Sequence, residues 1–483
     1  MAESAVLVKL LLLGLISVNI LPIQFQYVES SYPGESDHYE DQMTRQMSSI
    51  RASSIVRNRM PLSRTYSTPP LESTSSCIHY VTHYGADPTG ISDSTEAIER
   101  AISDAFTSPI DGHLMKGIPN LGGSELHLDG GTYKISRPLR LPDIGGGNFM
   151  IHGGSLRASD DFPKDRHLIE LRSSSNSISY EYITLKDLMI DSNFRGGGIA
   201  IINSLRTTVD NCYVSHFTTT GISIEGGHES YIRNSFIGQY INVGGDDREK
   251  SFSGIGINIK GNDNVVTDVV IFSASVGVMI AGEANLLTGI HCYNKATGLG
   301  GTGVYIRSPG LTQTRIVNCY FDFTGIVAED PVQLHITGSF FLGNAFILLK
   351  SLKGVLSAVN IVDNMFSGDY TGVQIVQLDQ SNEPFKTIDQ VVVDRNNVRG
   401  MVLKSTVARG SLWKKGTTWT VDFSPVLLFP NLIKNVQYTL EAGSSFPKHI
   451  LRNVSKNRVT VETDVAVSAT LHVSVDQSLV RYI

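Results

Sequence analysis

Gly221-Ile-Ser-Ile-Glu225 and Gly256-Ile-Asn-Ile-Lys260 are two copies of the short phrase that decides the fold. Apolar and variable residues alternate in each copy, the apolar ones are largely β-branched, and polar turn residues come before and after. This alternation predicts a β-strand rather than a helix. Further copies are Gly198-Ile-Ala-Ile201, Gly277-Val-Met-Ile280, Gly303-Val-Tyr-Ile306 and Gly372-Val-Gln-Ile375.

A second phrase precedes these strands and begins with a small or polar residue that is followed by an apolar strand. Its copies begin at Asp187, Asn211, Asn234, Asp268, Gly289, Asn318, Gly338 and Asp363, so successive starts lie 20 to 34 residues apart. A unit this short cannot enclose a core, and it buries its apolar face only by stacking on its neighbours. We therefore predict an all-β chain with a parallel β-helix from about residue 125 to residue 400.

Composition favours one elongated domain, of the size of a catalytic domain, with additional segments at its ends. The chain has 483 residues, 41% hydrophobic and 18% charged, and a net charge of −6 without a basic run, which argues against nucleic acid as a partner. The four cysteines, Cys77, Cys212, Cys292 and Cys319, are too few for a disulfide framework and have no metal-binding spacing. We expect buried thiols at Cys212 and Cys319, no metal, no cofactor and a monomer.

The two ends of the chain differ from the repeats. Residues 10–20 form an apolar run after Lys9 that is too short to span a membrane and has the length of a secretory signal. We predict a signal peptide at 1–27, a flexible leader at 28–76, the β-helix at 77–402 and a β-rich cap at 403–483. We predict that the mature protein is exported and does not insert stably into a membrane. The sequon Asn453-Val-Ser455 then becomes a glycosylation site.

A family resemblance rests on Val81-Thr-His-Tyr-Gly-Ala-Asp-Pro-Thr-Gly90 and Gly130-Gly-Thr-Tyr133. These strings resemble the opening segment of the pectate-lyase-like superfamily, which includes polygalacturonases and phage tailspikes. The order of residues 81–483 behind a secretory leader looks most like the plant QUARTET-type pollen polygalacturonases. The resemblance implies a right-handed parallel β-helix. It also implies a secreted cell-wall enzyme that hydrolyses α-1,4-galacturonosyl bonds of de-esterified pectin and acts in pollen development.

The same opening segment predicts a helix through Ala97, Ile98, Ala101 and Ile102, because these small and apolar residues recur on one helical face. Ser94 or Thr95 can cap its first turn. We expect this helix to cover the open end of the apolar column.

Outward positions on the repeated strands supply the candidate substrate-binding residues. Because side chains alternate across a strand, the residues between the buried apolar ones point outward, and neighbouring coils stack about 4.8 Å apart. This places on one exposed face Ser223, Glu225, Asn258, Lys260, Tyr305 and Arg307. Such a track suits a chain of acidic sugars, whose carboxylates Lys260 and Arg307 would bind. Alternatively, its charges only neutralise one another along the sheet.

The longest interval between repeats contains Gly244-Gly-Asp-Asp-Arg-Glu-Lys250. Asp246 and Asp247 match the paired aspartates of the polygalacturonase Gly-Asp-Asp motif, and glycosidic cleavage needs two carboxyl groups. We predict Asp246 and Asp247 as the catalytic acid and base, with Glu225 as a third carboxylate. A solvated turn is the alternative, since Gly and Asp favour turns.

The chain departs from the family pattern at three motifs. The family's Asn-Thr-Asp is Thr218-Thr-Thr220 here, its Gly-His-Gly is Ser275-Val-Gly277, and its Arg-Ile-Lys is Tyr305-Ile-Arg307. Two further functions therefore stay open: a Ca²⁺-dependent pectate lyase, and a wall-binding β-helix without catalysis. Reserve candidates for a displaced site are His216, His228, His291, Asp191 and Asp322.

Overall fold

The computed structural model describes residues 78–107, 112–174, 177–240, 253–293, 301–443 and 446–478. Its long parallel sheets confirm the predicted all-β fold, a parallel β-helix in which each full coil contributes one strand to each of three stacks. No helix in these ranges is long and apolar enough to cross a membrane. The predicted signal peptide and leader lie outside the described residues.

The first stack and the second stack form one continuous sheet, because two long strands, Gly146–Ala158 and Tyr180–Asp191, run through both. The other strands of the first stack are Ile78–Tyr80, Ile118–His127, Ser204–Leu205, Thr208–Asp210, Tyr231–Arg233, Val265–Thr267, Leu286–Thr288, Arg315–Val317, Val332–Thr337, Val355–Val362 and Thr387–Asp394. Those of the second stack are Thr132–Ile135, Tyr213–Ser215, Phe236–Gly238, Val270–Phe272, His291–Tyr293, Tyr320–Asp322, Phe340–Leu342, Met365–Ser367 and Asn397–Arg399. A short strand, His113–Met115, pairs antiparallel with the second strand of the first stack.

The third stack contains the repeated Gly-apolar-x-apolar phrase. Its strands are Leu139–Arg140, His167–Leu171, Gly197–Ile202, Thr220–Glu225, Ile255–Ile259, Val276–Ile280, Thr302–Ile306, Gly325–Glu329, Ile347–Lys350 and Val376–Asp379. The copy at Gly372 is an exception to the prediction, since the strand begins only after it, at Val376. The physical reason is that Gly372 has a φ of 90°, which an extended strand does not accommodate.

The interior of the β-helix is a column of stacked apolar side chains. Ile222 pairs in register with Ile257, Ile257 with Val278, and Val278 with Val304, and all four side chains are fully buried. This confirms the predicted inward positions. The buried thiols of Cys212 and Cys319 also lie in this core and are not in disulfides.

The turn before each second-stack strand explains why the second phrase begins with Asp, Asn or Gly. All eight first residues of that phrase have φ between 49° and 63°. Side chains with a branched or bulky Cβ avoid this left-handed region, whereas Gly, Asn and Asp tolerate it. The repeated sequence therefore reflects two constraints, a left-handed backbone at the first residue of the phrase and burial of the apolar residues that follow.

The N-terminal end of the column is covered by the helix Thr95–Thr107, which buries Ala97, Ile98, Ala101 and Ile102 as predicted. Ser94 holds the predicted N-cap position, because its carbonyl oxygen accepts the Ile98 backbone N–H at 3.0 Å, but its hydroxyl bonds elsewhere. Asp93 Oδ1 accepts the hydrogen bond from the Thr95 backbone N–H at 3.0 Å, while Ser94 Oγ accepts one from the Asp87 backbone N–H at 2.9 Å.

Beyond the last coil the chain forms a separate antiparallel sheet. Its strands are Val407–Asp422, Asn435–Ala442, His449–Ser455 and Arg458–Asp476. This sheet has its own core around the fully buried Trp419. Leu428 and Phe429, between its first two strands, instead join the core of the β-helix and so cover its C-terminal end.

Candidate functional site

The outer face of the third stack brings together the predicted substrate-binding residues in two groups. Ser223 lies beside Asn258 in register, followed by Met279 and Tyr305 on successive strands. Ser223 and Asn258 are largely buried, and Asn258 Nδ2 donates a long hydrogen bond of 3.5 Å to Ser223 Oγ. The apolar Met279 coil separates the first group, at 223–260, from the second, at 305–350.

Glu225 and Lys260 form the charged pair of the first group. Lys260 Nζ lies 2.9 Å from Glu225 Oε1, which also accepts a hydrogen bond from Ser223 Oγ at 3.1 Å. Burial raises the pKa of Glu225, but Lys260 and Ser223 outweigh it, so the pKa lies below its usual value. Glu225 is therefore ionised, which suits a base and not a proton donor.

Glu329 is the centre of the second group. Tyr305 Oη donates a hydrogen bond of 2.6 Å to Glu329 Oε1, Lys350 Nζ lies 3.5 Å from the same oxygen, and Arg307 Nε lies 3.9 Å from Oε2. The Glu329 side chain is only 9% exposed, whereas Arg307 is 59% exposed. Two cations thus share one largely buried carboxylate, and the Arg307 guanidinium keeps most of its surface open to solvent.

Sequence reasoning missed Glu329 and Lys350, although a signal for Glu329 was present. Glu225, Lys260 and Arg307 each stand four residues after the glycine of their phrase, and Glu329 stands four residues after Gly325. The phrase was overlooked there because Ala328 replaces its last branched residue. Applying the spacing alone, without the apolar match, would have found it.

Glu225 and Glu329 cannot serve as one catalytic pair. The strand of Glu225 and the strand of Glu329 are four steps apart in the third stack. At about 4.8 Å a step, the two carboxyl groups are roughly 19 Å apart, well beyond the ~5–9.5 Å that glycosidases use. Any partner of Glu225 in acid–base chemistry must come from another segment.

Asp246 and Asp247 lie outside the described residues. The described residues on either side, Tyr240 and Ser253, lie at the edge between the second and third stacks. There Gln239 Oε1 accepts hydrogen bonds from the backbone N–H groups of Ser253, at 3.1 Å, and Gly254, at 3.3 Å. The Gln239 side chain is buried and so fixes where the chain enters the strand Ile255–Ile259.

One pair of reserve candidates meets at the same edge, one coil earlier. His216 Nδ1 lies 2.7 Å from Asp191 Oδ1, and Arg157 Nε lies 3.6 Å from Asp191 Oδ2. Burial raises the pKa of Asp191, but the hydrogen bond and charge of His216 bring it below its usual value. The His216 backbone N–H donates to Gly238 O at 3.2 Å, which ties this pair to the coil of Gln239.

The remaining reserve candidates are dispersed. His228 forms isolated β-bridges to Leu205 and Asn262, and its Nδ1 lies 3.9 Å from Glu229 Oε2. His291 is packed against the Tyr320 ring, with centroids 4.5 Å apart, and burial lowers its pKa to about 4, so it is neutral at ordinary pH. Asp322, on the next strand of the second stack, is buried.

Comparison with known proteins adds the family. Polygalacturonase QRT3 of Arabidopsis thaliana is 58% identical over 467 residues, which cover 96% of this chain and 97% of that protein. The chain belongs to the QRT3-type polygalacturonase family. No family model matches the chain.

Among solved structures, ORF18 of Geobacillus virus E2 superposes with a TM-score of 0.55 at 14% identity, over 84% of this chain and 80% of that chain. The endo-xylogalacturonan hydrolase of Aspergillus tubingensis has a TM-score of 0.42 at 13% identity, over 67% and 92%. Only the first is close enough to be informative, and at that identity it supports the fold alone.

Two of the three motif departures lie at hydrogen bonds between neighbouring coils. Thr218 Oγ1, where the general polygalacturonase pattern has Asn-Thr-Asp, accepts the Gly196 backbone N–H at 3.1 Å. Ser275 O accepts the Thr302 backbone N–H at 3.0 Å. These residues join neighbouring coils and bring no carboxylate or imidazole to the edge. The described acids nearest in sequence to Thr218–Thr220 are Glu225 and Asp210, and the one that pairs with the neighbouring His216 is Asp191.

Proposed function

We propose that the protein is a secreted polygalacturonase that hydrolyses α-1,4-galacturonosyl bonds of de-esterified pectin in the plant cell wall. The observation that carries the proposal is the 58% identity, over nearly the whole of both chains, to a protein named polygalacturonase. The polar outer face of the third stack agrees with a long, charged substrate. A role in pollen development is part of the proposal, because the sequence resembles the QUARTET-type pollen polygalacturonases.

Asp246 and Asp247 are proposed as the acid and base, with Glu225 as the third carboxylate. Since Lys260 keeps the pKa of Glu225 low, Glu225 suits the activation of water, and the proton donor must be one of the two aspartates. Inversion requires an acid and a base about 6.5–9.5 Å apart, with a water molecule between them. Two adjacent aspartates alone do not readily meet this requirement, which is why Glu225 is included. No cofactor is proposed.

Arg307, Lys260, Tyr305 and Asn258 are proposed to bind the substrate. Arg307 is the strongest candidate, because its 3.9 Å contact with Glu329 is long and its guanidinium is more than half exposed. A galacturonate carboxylate can form a bidentate pair there without breaking a short hydrogen bond. Lys260 must exchange its 2.9 Å contact with Glu225 for the substrate.

The test of the mechanism is to replace Asp246 or Asp247 by Asn. Proton transfer by a positioned carboxyl group contributes at least about 10²-fold, so kcat on polygalacturonate should fall by that factor while the thermal midpoint stays unchanged. Asp263→Asn, at an exposed turn two residues beyond Gly261 in the same coil, is the matched control and should keep the parental rate. Parental rates in both aspartate variants would move the site elsewhere, with Asp191 and His216 next to be tested.

A second candidate function is binding of wall polysaccharide without turnover. It is favoured by Thr218–Thr220 and Ser275–Gly277, which hold hydroxyl and apolar groups at the two motif positions where the family pattern has a carboxylate and a histidine. Product analysis separates the possibilities. Saturated oligogalacturonides support hydrolysis, unsaturated ultraviolet-absorbing ends with a Ca²⁺ requirement support a lyase, and retention on pectin without products supports a binding protein.

Export, an extracellular monomer, and the division of the chain at residues 27, 76 and 402 belong to the same proposal. Asn453 is proposed to carry a glycan. Its side chain is exposed on the strand His449–Ser455, and Nδ2 donates to Ser455 Oγ at 3.0 Å, so the sequon is accessible. Loss of an endoglycosidase-sensitive mass in Asn453→Gln, with secretion retained, is the expected result.

A further inference from the structure

A cavity of about 480 Å³ lies where the last coil of the β-helix meets the C-terminal sheet. Gln374 and Leu378 of the last coil form one wall. The connection at 424–431 and the turn at Lys456 and Asn457 form the others. The volume lies within the range of about 300–1,000 Å³ typical of small-ligand sites. None of the residues discussed for the candidate active site lines it.

The charge of the cavity is positive. Lys404 and Lys456 line it, and no Asp or Glu is among its lining residues. Lys404 Nζ donates to Pro425 O at 3.0 Å, and no described carboxylate lies within ion-pair distance of it. Burial lowers the pKa of Lys404, which means that its ammonium is partly removed from water without a compensating charge. An anion placed in the cavity would supply that charge.

The remaining lining combines hydrogen-bonding groups with an apolar surface. Asn457 is buried, its Nδ2 donates to Phe429 O at 2.9 Å, and its Oδ1 has no hydrogen-bond partner among the described residues. That oxygen is closed to solvent, so the polar groups that a ligand in the cavity can reach include those of Ser424 and Asn431. Apolar contacts come from Leu378, Leu427 and Pro430. A cation, exposed polar side chains and an apolar surface together match a sugar that carries a carboxylate.

We propose that this cavity is a second, non-catalytic site that binds one galacturonate unit at the end of a pectin fragment. The carboxylate would pair with Lys404, and the sugar hydroxyls would meet the exposed side chains of Ser424 and Asn431. This inference takes its ligand class from the proposed function. Such a site would hold the enzyme on its polymer at a position separate from the outer face of the third stack.

The experiment is lysine footprinting of the full-length mature protein. An amine-acetylating reagent is applied with and without trigalacturonate, and each lysine is followed by peptide mass spectrometry. Lys414 is the matched control, because its Nζ also donates to a backbone carbonyl, that of Thr418, at 3.0 Å. We expect trigalacturonate to slow acetylation of Lys404 at least fivefold and leave Lys414 unchanged. A mass spectrum of the sugar from the same sample reports whether trigalacturonate stayed intact.

Two further ligands define the chemistry of the site. Neutral galactotriose should not protect Lys404, and equal protection by it would overturn carboxylate recognition. Equal protection by sodium sulfate would show an adventitious ion only and would overturn the sugar assignment. Absence of protection by every ligand would overturn the site itself.

Variants separate this site from the proposed hydrolysis. Lys404→Gln should lose one binding event for trigalacturonate by calorimetry, keep its thermal midpoint and hydrolyse the trimer at the parental rate, while Lys404→Arg should retain binding. Hydrolysis without Lys404 protection would refute the cavity and leave the enzyme assignment standing. Protection of Lys404 without hydrolysis of the trimer would support the cavity and refute the enzyme assignment.

Discussion

The second and third stacks share one apolar interior, but their outer faces carry different kinds of side chain. Outside the second stack, Tyr213, Phe236, Phe272 and Tyr293 form a buried aromatic cluster that is separate from the main core. Tyr213 stacks on Phe236 with ring centroids 5.4 Å apart, and Phe236 lies 4.9 Å from Phe272. Outside the third stack the corresponding positions carry Glu225, Lys260, Arg307 and Glu329, linked by ion pairs.

This difference separates stability from function. Buried aromatic pairs contribute both apolar burial and specific ring contacts, whereas exposed ion pairs contribute about 0–1 kcal/mol each. The exposed Glu225–Lys260 pair and the outward Arg307 guanidinium can therefore turn to a ligand at little cost, because the largely buried Glu329 keeps Tyr305 and Lys350 as partners. The buried rings of the aromatic face cannot turn in this way. Substitutions in the interior and the aromatic face should change folding, and substitutions on the charged face should change KM and pH dependence.

The largest effect is expected inside the shared core. Ile257→Asp places an unpaired charge between Ile222 and Val278 and should cost more than about 4 kcal/mol, enough to prevent secretion. Met279→Asp, on the neighbouring strand but facing outward, should cost under about 1 kcal/mol. Yield of secreted protein and denaturant midpoints measure both. Equal losses would contradict the inward and outward alternation.

On the aromatic face, Phe236→Ala should cost about 3 kcal/mol, because Phe236 is buried between two rings. Any folded protein should keep the parental KM for polygalacturonate. The control is Tyr231→Ala, which removes a ring of 44% exposure from the first stack and should cost under about 1 kcal/mol. A raised KM in Phe236→Ala would show that the substrate reaches this face as well.

On the charged face, Arg307→Gln should raise KM for polygalacturonate about three- to tenfold, as expected for loss of one partly exposed charge contact. Lys260→Gln should raise it less, because Lys260 is already held by Glu225. Arg315→Gln, an exposed arginine on the first stack, should leave KM unchanged. An unchanged KM in both Arg307→Gln and Lys260→Gln would show that these two cations do not bind the substrate.

The smallest expected effect is a displacement of the pH profile. In the parent, Lys260 lowers the pKa of Glu225, so Glu225 remains ionised as the pH falls below the ordinary range of a glutamate. Lys260→Gln removes that effect and raises the pKa, so the acid limb of kcat/KM should move to higher pH. Lys350→Gln, which affects Glu329 instead, should leave the limb in place. A profile identical in the two variants would remove Glu225 from the mechanism.

The sequence by itself determined the parts of the fold that depend on local rules. Alternation identified the buried side chains, such as Ile257, because a strand exposes one face and buries the other. The residues that open each turn, such as Asn211, were identified because a small or polar residue recurs there, and their left-handed φ values explain that choice. The same alternation predicted that Glu225, Lys260 and Arg307 would share an outer face, although it missed Glu329.

The tertiary structure decided the pairings between coils, which depend on register and on the length of each turn. It placed His216 beside Asp191, 25 residues away in the chain, placed Glu329 beside both Arg307 and Lys350, and directed the Ser94 hydroxyl to the Asp87 backbone N–H. It also enclosed Lys404 in a cavity at the last coil. A side chain's partner is set by distance in space, and no local rule encodes that distance, since each coil differs in length from the next.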